Sequence, residues 1–160
     1  MSELTTCLWF DTDGEQAARF YVDVFPNSSL GGVTPYPEGG DRAGEVMTVD
    51  FVLNGQKFVA LNGGPQYHFT EAISFQIPCA DQEEVDRYWD TLTADGGEEG
   101  PCGWLKDKFG LSWQVVPNRF VELVSSPEPG VAERVSQALF AMKKIIIADL
   151  ESAAAENQPV

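Results

Sequence analysis

The sequence predicts an α+β fold of two related βαβββ modules followed by C-terminal helices. Three observations predict it. Helices and strands recur at an offset of 68 positions, each repeat closes on a glycine-turned hairpin, and helical periodicity takes over after Pro117. In the helices, Arg19-Phe20-Tyr21 falls on Arg87-Tyr88-Trp89, Glu15 on Glu83 and Asp13 on Asp81. In the strands, Thr6 to Phe10 falls on Ser74 to Pro78. A half of this kind leaves one sheet face in need of cover, which a twin can supply.

The elements follow in order. Thr5 to Phe10 reads as a strand, and Asp11-Thr12-Asp13-Gly14 as a turn carrying helix caps. A helix over about 15–25 has Ala17, Phe20, Tyr21 and Val24 on one face and stops at Pro26-Asn27. Ser29 to Pro35 is a strand candidate, followed by a charged loop rich in Pro and Gly. Val46 to Leu53 and Gln56 to Asn62 form a hairpin about Asn54-Gly55, residues that accept the positive φ of a two-residue turn. After a connector over 63–71 the order restarts, with a strand over 72–77 and an Ala80-Asp81 cap. A helix over 82–92 then buries Val85, Tyr88, Trp89 and Leu92. Cys102 to Asp107 and Leu111 to Val116 make the second hairpin. Val131, Val135, Ala138, Leu139 and Met142 mark an amphipathic helix, and 145–155 a further one.

The 160 residues suit a single domain over 1–160, with modules at about 4–62 and 72–124 and an extension over 125–156. Apolar residues at 43% and charged residues at 22% argue for a globular chain with a core. Ten basic against 25 acidic residues give a net charge of −15, which repels phosphate backbones and anionic lipid. Neither nucleic acid nor a membrane is therefore an expected partner. Cys7, Cys79 and Cys102 lack the close spacing of a zinc or redox motif and read as reduced, packed thiols. Met1 to Thr6 has neither the basic cluster nor the apolar stretch of a signal peptide, so the expected location is cytoplasmic.

Several segments carry a family resemblance. They are Leu61-Asn62-Gly63-Gly64-Pro65, Phe69 to Phe75, Cys102-Gly103-Trp104-Leu105-Lys106-Asp107-Lys108-Phe109-Gly110 and Ser112-Trp113-Gln114-Val115-Val116-Pro117. Together they resemble the PhnB-like branch of the vicinal-oxygen-chelate (glyoxalase/bleomycin-resistance/dioxygenase) superfamily, a branch labelled "3-demethylubiquinone-9 3-methyltransferase domain". The resemblance runs from about Thr5 to Ala155. It implies an open barrel-like mixed sheet around a pocket, and a homodimer. The label implies methyl transfer, and the superfamily a metal-dependent lyase or dioxygenase. No glycine-rich turn leads from a strand into a helix, as a dinucleotide-type cofactor site would require, and no cofactor is expected.

The resemblance also implies where a divalent metal would be held. The first-strand position falls at Thr6, with Ser74 as its repeat partner or Ala72 under another gap. The last-strand position falls at Gln114 in the second module and at Val59 or Ala60 in the first. Hydroxyls, an amide and an apolar side chain are poor ligands for a first-row metal. These positions therefore read as a degenerate metal site, and a metal-free pocket is expected.

Strand alternation nominates Trp9, Asn62, Gln76, Trp104 and Gln114 as ligand-binding residues, with Lys106 as a further polar strand residue. Trp113 reads as pocket wall, core or interface, and Asp50 as facing either solvent or the pocket. Apolar walls with a few amides suit a small, neutral or weakly polar aromatic ligand. His68, the single histidine, and Cys102 are the weak candidates for catalysis; each also reads as structural.

Overall fold

Alternation in the first strands decides which side meets the first helix. In the computed structural model, which describes residues 4–156, β1 (Thr6–Phe10) buries Leu8 and Phe10, while Cys7 is exposed and Trp9 half-buried. Helix α1 (Gly14–Val24) covers that apolar side through Ala17, Ala18 and Tyr21. The remaining strands of this unit are β2 (Ser29–Pro35), β3 (Val46–Leu53) and β4 (Gln56–Asn62). They pair in the order β1-β4-β3-β2, parallel between β1 and β4 and antiparallel elsewhere. Tyr21 stacks on Phe51 at 6.3 Å and Phe51 on Phe58 at 5.2 Å. Burying each such ring is worth about 1.5–3 kcal/mol. Asn54 and Gly55, at φ 45° and 84°, make the expected hairpin turn.

Asp13 stands at the N-terminus of α1 but makes no side-chain capping bond. Asn62, at the end of β4, takes that role from another strand: its Oδ1 accepts the Gly14 N–H at 2.8 Å. A Cβ at position 14 would lie 2.7 Å from that oxygen, so glycine is required there by space.

The second unit, from Thr70 onward, repeats the plan with β5 (Ser74–Cys79), α2 (Gln82–Thr93), β6 (Glu98–Glu99), β7 (Trp104–Lys106) and β8 (Ser112–Pro117). Their order is β5-β8-β7-β6, with β5 and β8 parallel. In α2 the expected cap is made: Asp81 Oδ1 accepts Glu84 N–H at 2.9 Å and Glu84 Oε2 accepts Ala80 N–H at 2.8 Å. Strand β5 begins two residues later than its expected start and runs through Pro78. It lies at the edge of its sheet, where a missing N–H is tolerated. Cys102 and Gly103 form a positive-φ turn ahead of the short β7.

The repeat is real, but its offset is not uniform. Helices match at 68, as in Asp13 with Asp81 and Tyr21 with Trp89. Buried strand residues match at 69, as in Leu8 with Ile77 and Phe10 with Cys79. The strand-to-helix turn is one residue shorter in the second unit. A one-residue slip turns every side chain to the other face, so Thr6 and Ser74 are not equivalent, although β1 and β5 are.

Beyond β8, helices α3 (Asn118–Val124), α4 (Val131–Phe140) and α5 (Ile147–Ala155) enclose a cluster of Leu123, Val131, Val135, Leu139, Ile145 and Leu150. The cluster is fastened to α2 by Gln82, which accepts Ile147 N–H at 2.8 Å and donates to Ile145 O at 3.1 Å. The Lys144–Asp86 ion pair at 2.9 Å adds to this. Cys102 N–H and Gly103 N–H donate to Met142 O and Lys143 O, both at 2.8 Å.

Candidate functional site

Each sheet has one face covered by its helix and one open face. On the second sheet the covered face takes Ile77, Cys79, Leu105, Trp113 and Val115, all buried. Residues paired across strands share a face, and the register places Gln76 beside Gln114 and Gln114 beside Trp104. Three sequence-nominated residues thus form one row on the open face. The next row is Ser74, Ser112, Lys106 and Glu98.

Hydrogen bonds orient these groups. Gln114 Nε2 donates to Ser74 Oγ at 2.7 Å, and Gln76 Nε2 donates to Gln114 Oε1 at 3.3 Å. The Gln114 amide is thereby fixed, leaving Gln76 Oε1 exposed at the end of the chain. Trp104 is half-buried at the head of the row, in a turn closed by Gly100 N–H to Trp104 O at 2.8 Å. Beside it lies a groove of about 390 Å³, lined by Glu71, Glu98, Pro101, Trp104, Lys106 and Ser112.

Ser112 is 1% exposed, and its Oγ has no hydrogen-bond partner. Lys106 is paired with Glu71 at 2.5 Å. That hydrogen bond raises the Lys106 pKa and lowers that of Glu71. Glu99 accepts Trp89 Nε1–H at 2.9 Å, which is the main reason its carboxyl titrates lower than usual, and pairs with Lys143 at 3.6 Å.

The other nominated residues lie elsewhere. Trp9 is on the open face of the first sheet; its Nε1–H donates to Gly64 O at 2.8 Å and Tyr67 packs edge-on at 4.9 Å. Asn62 is on the opposite, helix-covered face, 5% exposed, with Nδ2 donating to Val46 O at 3.1 Å. Trp113 is core. Its Nε1–H donates at 2.8 Å to Asp107, a 2%-exposed carboxylate that also accepts the N–H groups of Phe109 and Leu111. Asp50 is exposed in the row with Val59. His68 is exposed in the connector, and Cys102 packs against the C-terminal cluster.

The implied metal positions can be placed within each unit by strand face. Thr6 shares the helix-side alternation of Leu8 and Phe10, and its hydroxyl accepts Gln56 Nε2–H at 3.3 Å. Val59 occupies the open face, whereas Ala60 is 1% exposed on the covered one. Among the described residues no three His, Cys, Asp or Glu side chains are grouped as metal ligands. The hydroxyl and amides of Ser74, Gln76 and Gln114 already bond one another, so this donor set does not fit the superfamily's metal.

Sequence reasoning missed Ser112 and Glu71. Ser112 was within reach, since it lies two residues before Gln114 and so shares its face. Glu71 pairs with Lys106 through tertiary structure alone. Also missed was Arg42, which donates to Tyr36 Oη at 3.1 Å and Asn62 O at 3.0 Å and closes the 36–45 loop onto β4.

Comparison with known families decides the relationship, because the family model described as 3-demethylubiquinone-9 3-methyltransferase matches residues 2–116. The chain belongs to this family. A Bacillus cereus PhnB protein that carries the 3-demethylubiquinone-9 3-methyltransferase name is 31% identical, with 72% of this chain and 99% of that chain covered and a TM-score of 0.63. Protein PA1353 from Pseudomonas aeruginosa shares the fold at 19% identity, 73% and 98% coverage and a TM-score of 0.61. So does a Bacillus cereus protein described as a possible glyoxalase, at 15% identity, 72% and 98% coverage and a TM-score of 0.50. No curated protein matches the chain. The family match ends at Val116, not near Ala155 as the resemblance suggested. Helices α3–α5 thus lie beyond the part that matches the 3-demethylubiquinone-9 3-methyltransferase family.

Proposed function

We propose that this family member binds a small organic molecule with an aromatic body on the open face of its second sheet, without a metal ion. The observation that carries the reading is the oriented chain Ser74–Gln114–Gln76 beside Trp104 and the adjoining groove. An indole face supplies affinity, and fixed amides supply direction at little entropic cost. Ser74 and Gln114 are neutral, at positions where metal-binding relatives need imidazole or carboxylate.

The family name describes a methyl transfer. The strand-to-helix turns here, Asp11 to Asp13 and Ala80-Asp81, contain no glycine, and both sheets are mixed. A doubly wound cofactor-binding unit is built otherwise, so binding is the reading favoured over methyl transfer. Two copies are further proposed to associate, because β2 is an edge strand exposed along its whole length and Leu30 and Val33 project from it.

Two measurements test the reading together. Chelator-treated protein should bind members of a panel of phenols and quinones, read by quenching of tryptophan emission. Metal analysis of purified protein should find no stoichiometric divalent ion. Ligand binding that appears only after a divalent metal is restored would overturn it.

A further inference from the structure

The binding reading leaves one polar atom of the groove unused. Ser112 Oγ is buried and has no hydrogen-bond partner. Buried hydroxyls are nearly always paired, since an unpaired one forfeits its bond to water. Ser112 stands in register with Lys106, and both line the groove next to Trp104. A serine hydroxyl turns about a single side-chain torsion, so its direction can change without movement of β8.

The charges around it are already committed or repulsive to anions. Lys106 is held by Glu71 and faces Glu98 across the β6–β7 register, and Glu99 is held by Trp89 and Lys143. A carboxylate entering the groove would find no free cation there and would meet acidic neighbours.

We propose that Ser112 is the specificity-determining residue of this groove, and that it selects uncharged planar ligands carrying a hydrogen-bonding oxygen. The ring lies against Trp104, and the ligand oxygen pairs with the Ser112 hydroxyl. The inference rests on the open-face reading but goes further, in assigning selectivity to one hydroxyl.

Calorimetric titration with three probes of similar shape separates the two. Phenol carries the oxygen, toluene lacks it, and benzoate is charged. Wild-type protein should bind phenol about tenfold more tightly than toluene, with benzoate weakest. Ser112→Ala should abolish the preference for phenol over toluene. It should leave the thermal midpoint unchanged or raised, because it removes an unpaired buried hydroxyl; a merely structural serine would lower it. Trp104→Ala should weaken phenol and toluene alike. Equal binding of phenol and toluene by wild type, or benzoate as tight as phenol, overturns the role of Ser112 and leaves the open-face reading intact. If Trp104→Ala leaves the binding of every probe unchanged, or no probe binds up to its solubility, both fall.

Discussion

Gln114 is anchored by Ser74: its amide nitrogen donates to the serine hydroxyl at 2.7 Å, across neighbouring parallel strands. The bond fixes which end of the amide faces Gln76, and so gives the open face a defined sequence of donors and acceptors. Ser74→Ala should release that orientation. The expected result is a loss of ligand affinity of about three- to tenfold, with stability changed by about 1 kcal/mol or less. Binding unchanged by Ser74→Ala would show that the chain of amides plays no part.

Asn62 offers a contrast. Its amide accepts the Gly14 N–H and donates to Val46 O in a buried setting. Asn62→Ala should destabilise the protein by about 1–3 kcal/mol in denaturant unfolding, because it uncaps α1 and leaves a buried donor unpaired. Ligand affinity on the second sheet should be unaffected.

Asp107 organises the β7–β8 turn through the N–H groups of Phe109, Leu111 and Trp113. Replacement by Ala would strand three donors, two of them in buried hydrogen bonds. A loss of about 2–5 kcal/mol is expected. Loss of Trp104 fluorescence response should accompany it, because the hairpin carries both Trp104 and Gln114.

These residues also show what the sequence made legible. The Asn54-Gly55 hairpin, the Asp81 cap and the helix faces were readable because local chemistry dictates them. Rows of side chains were harder. A single residue dropped between Phe10 and Asp13 and their counterparts Cys79 and Asp81 turns the whole alternation over, and no local signal marks it. That slip separated Thr6 from Ser74. Gln76, Gln114 and Trp104 lie in one row because β5, β7 and β8 pair in the register that aligns them. Asn62 is nominated by alternation and polarity, and neither distinguishes a ligand contact from a helix cap made across to Gly14. Alternation places Ser112 on the face of Gln114, but neither the unpaired state of its hydroxyl nor the Glu71–Lys106 pair is encoded in a single strand's pattern.

The thiols make a pH-dependent test. Burial, with the Glu84 carboxylate as the next contribution, pushes the Cys79 pKa up to about 12 from an ordinary 9.0. Because the folded value is raised, its contribution to stability is complete below about pH 9 and is lost as pH rises from 9 towards 12. In native protein at pH 8, iodoacetamide should modify exposed Cys7 and spare Cys79. Equal labelling of the two in folded protein would contradict the packing of β5 against α2.

The account turns on whether the open face of the second sheet receives a ligand without metal. Side-chain amide and indole resonances of chelator-treated, nitrogen-15-labelled protein test this directly during titration with a phenol. Saturable shifts of the Gln76 and Gln114 amides and the Trp104 indole are predicted, with the Asn62 amide and Trp113 indole unmoved. Shifts confined to other residues, or appearing only when a divalent ion is added back, would contradict the account.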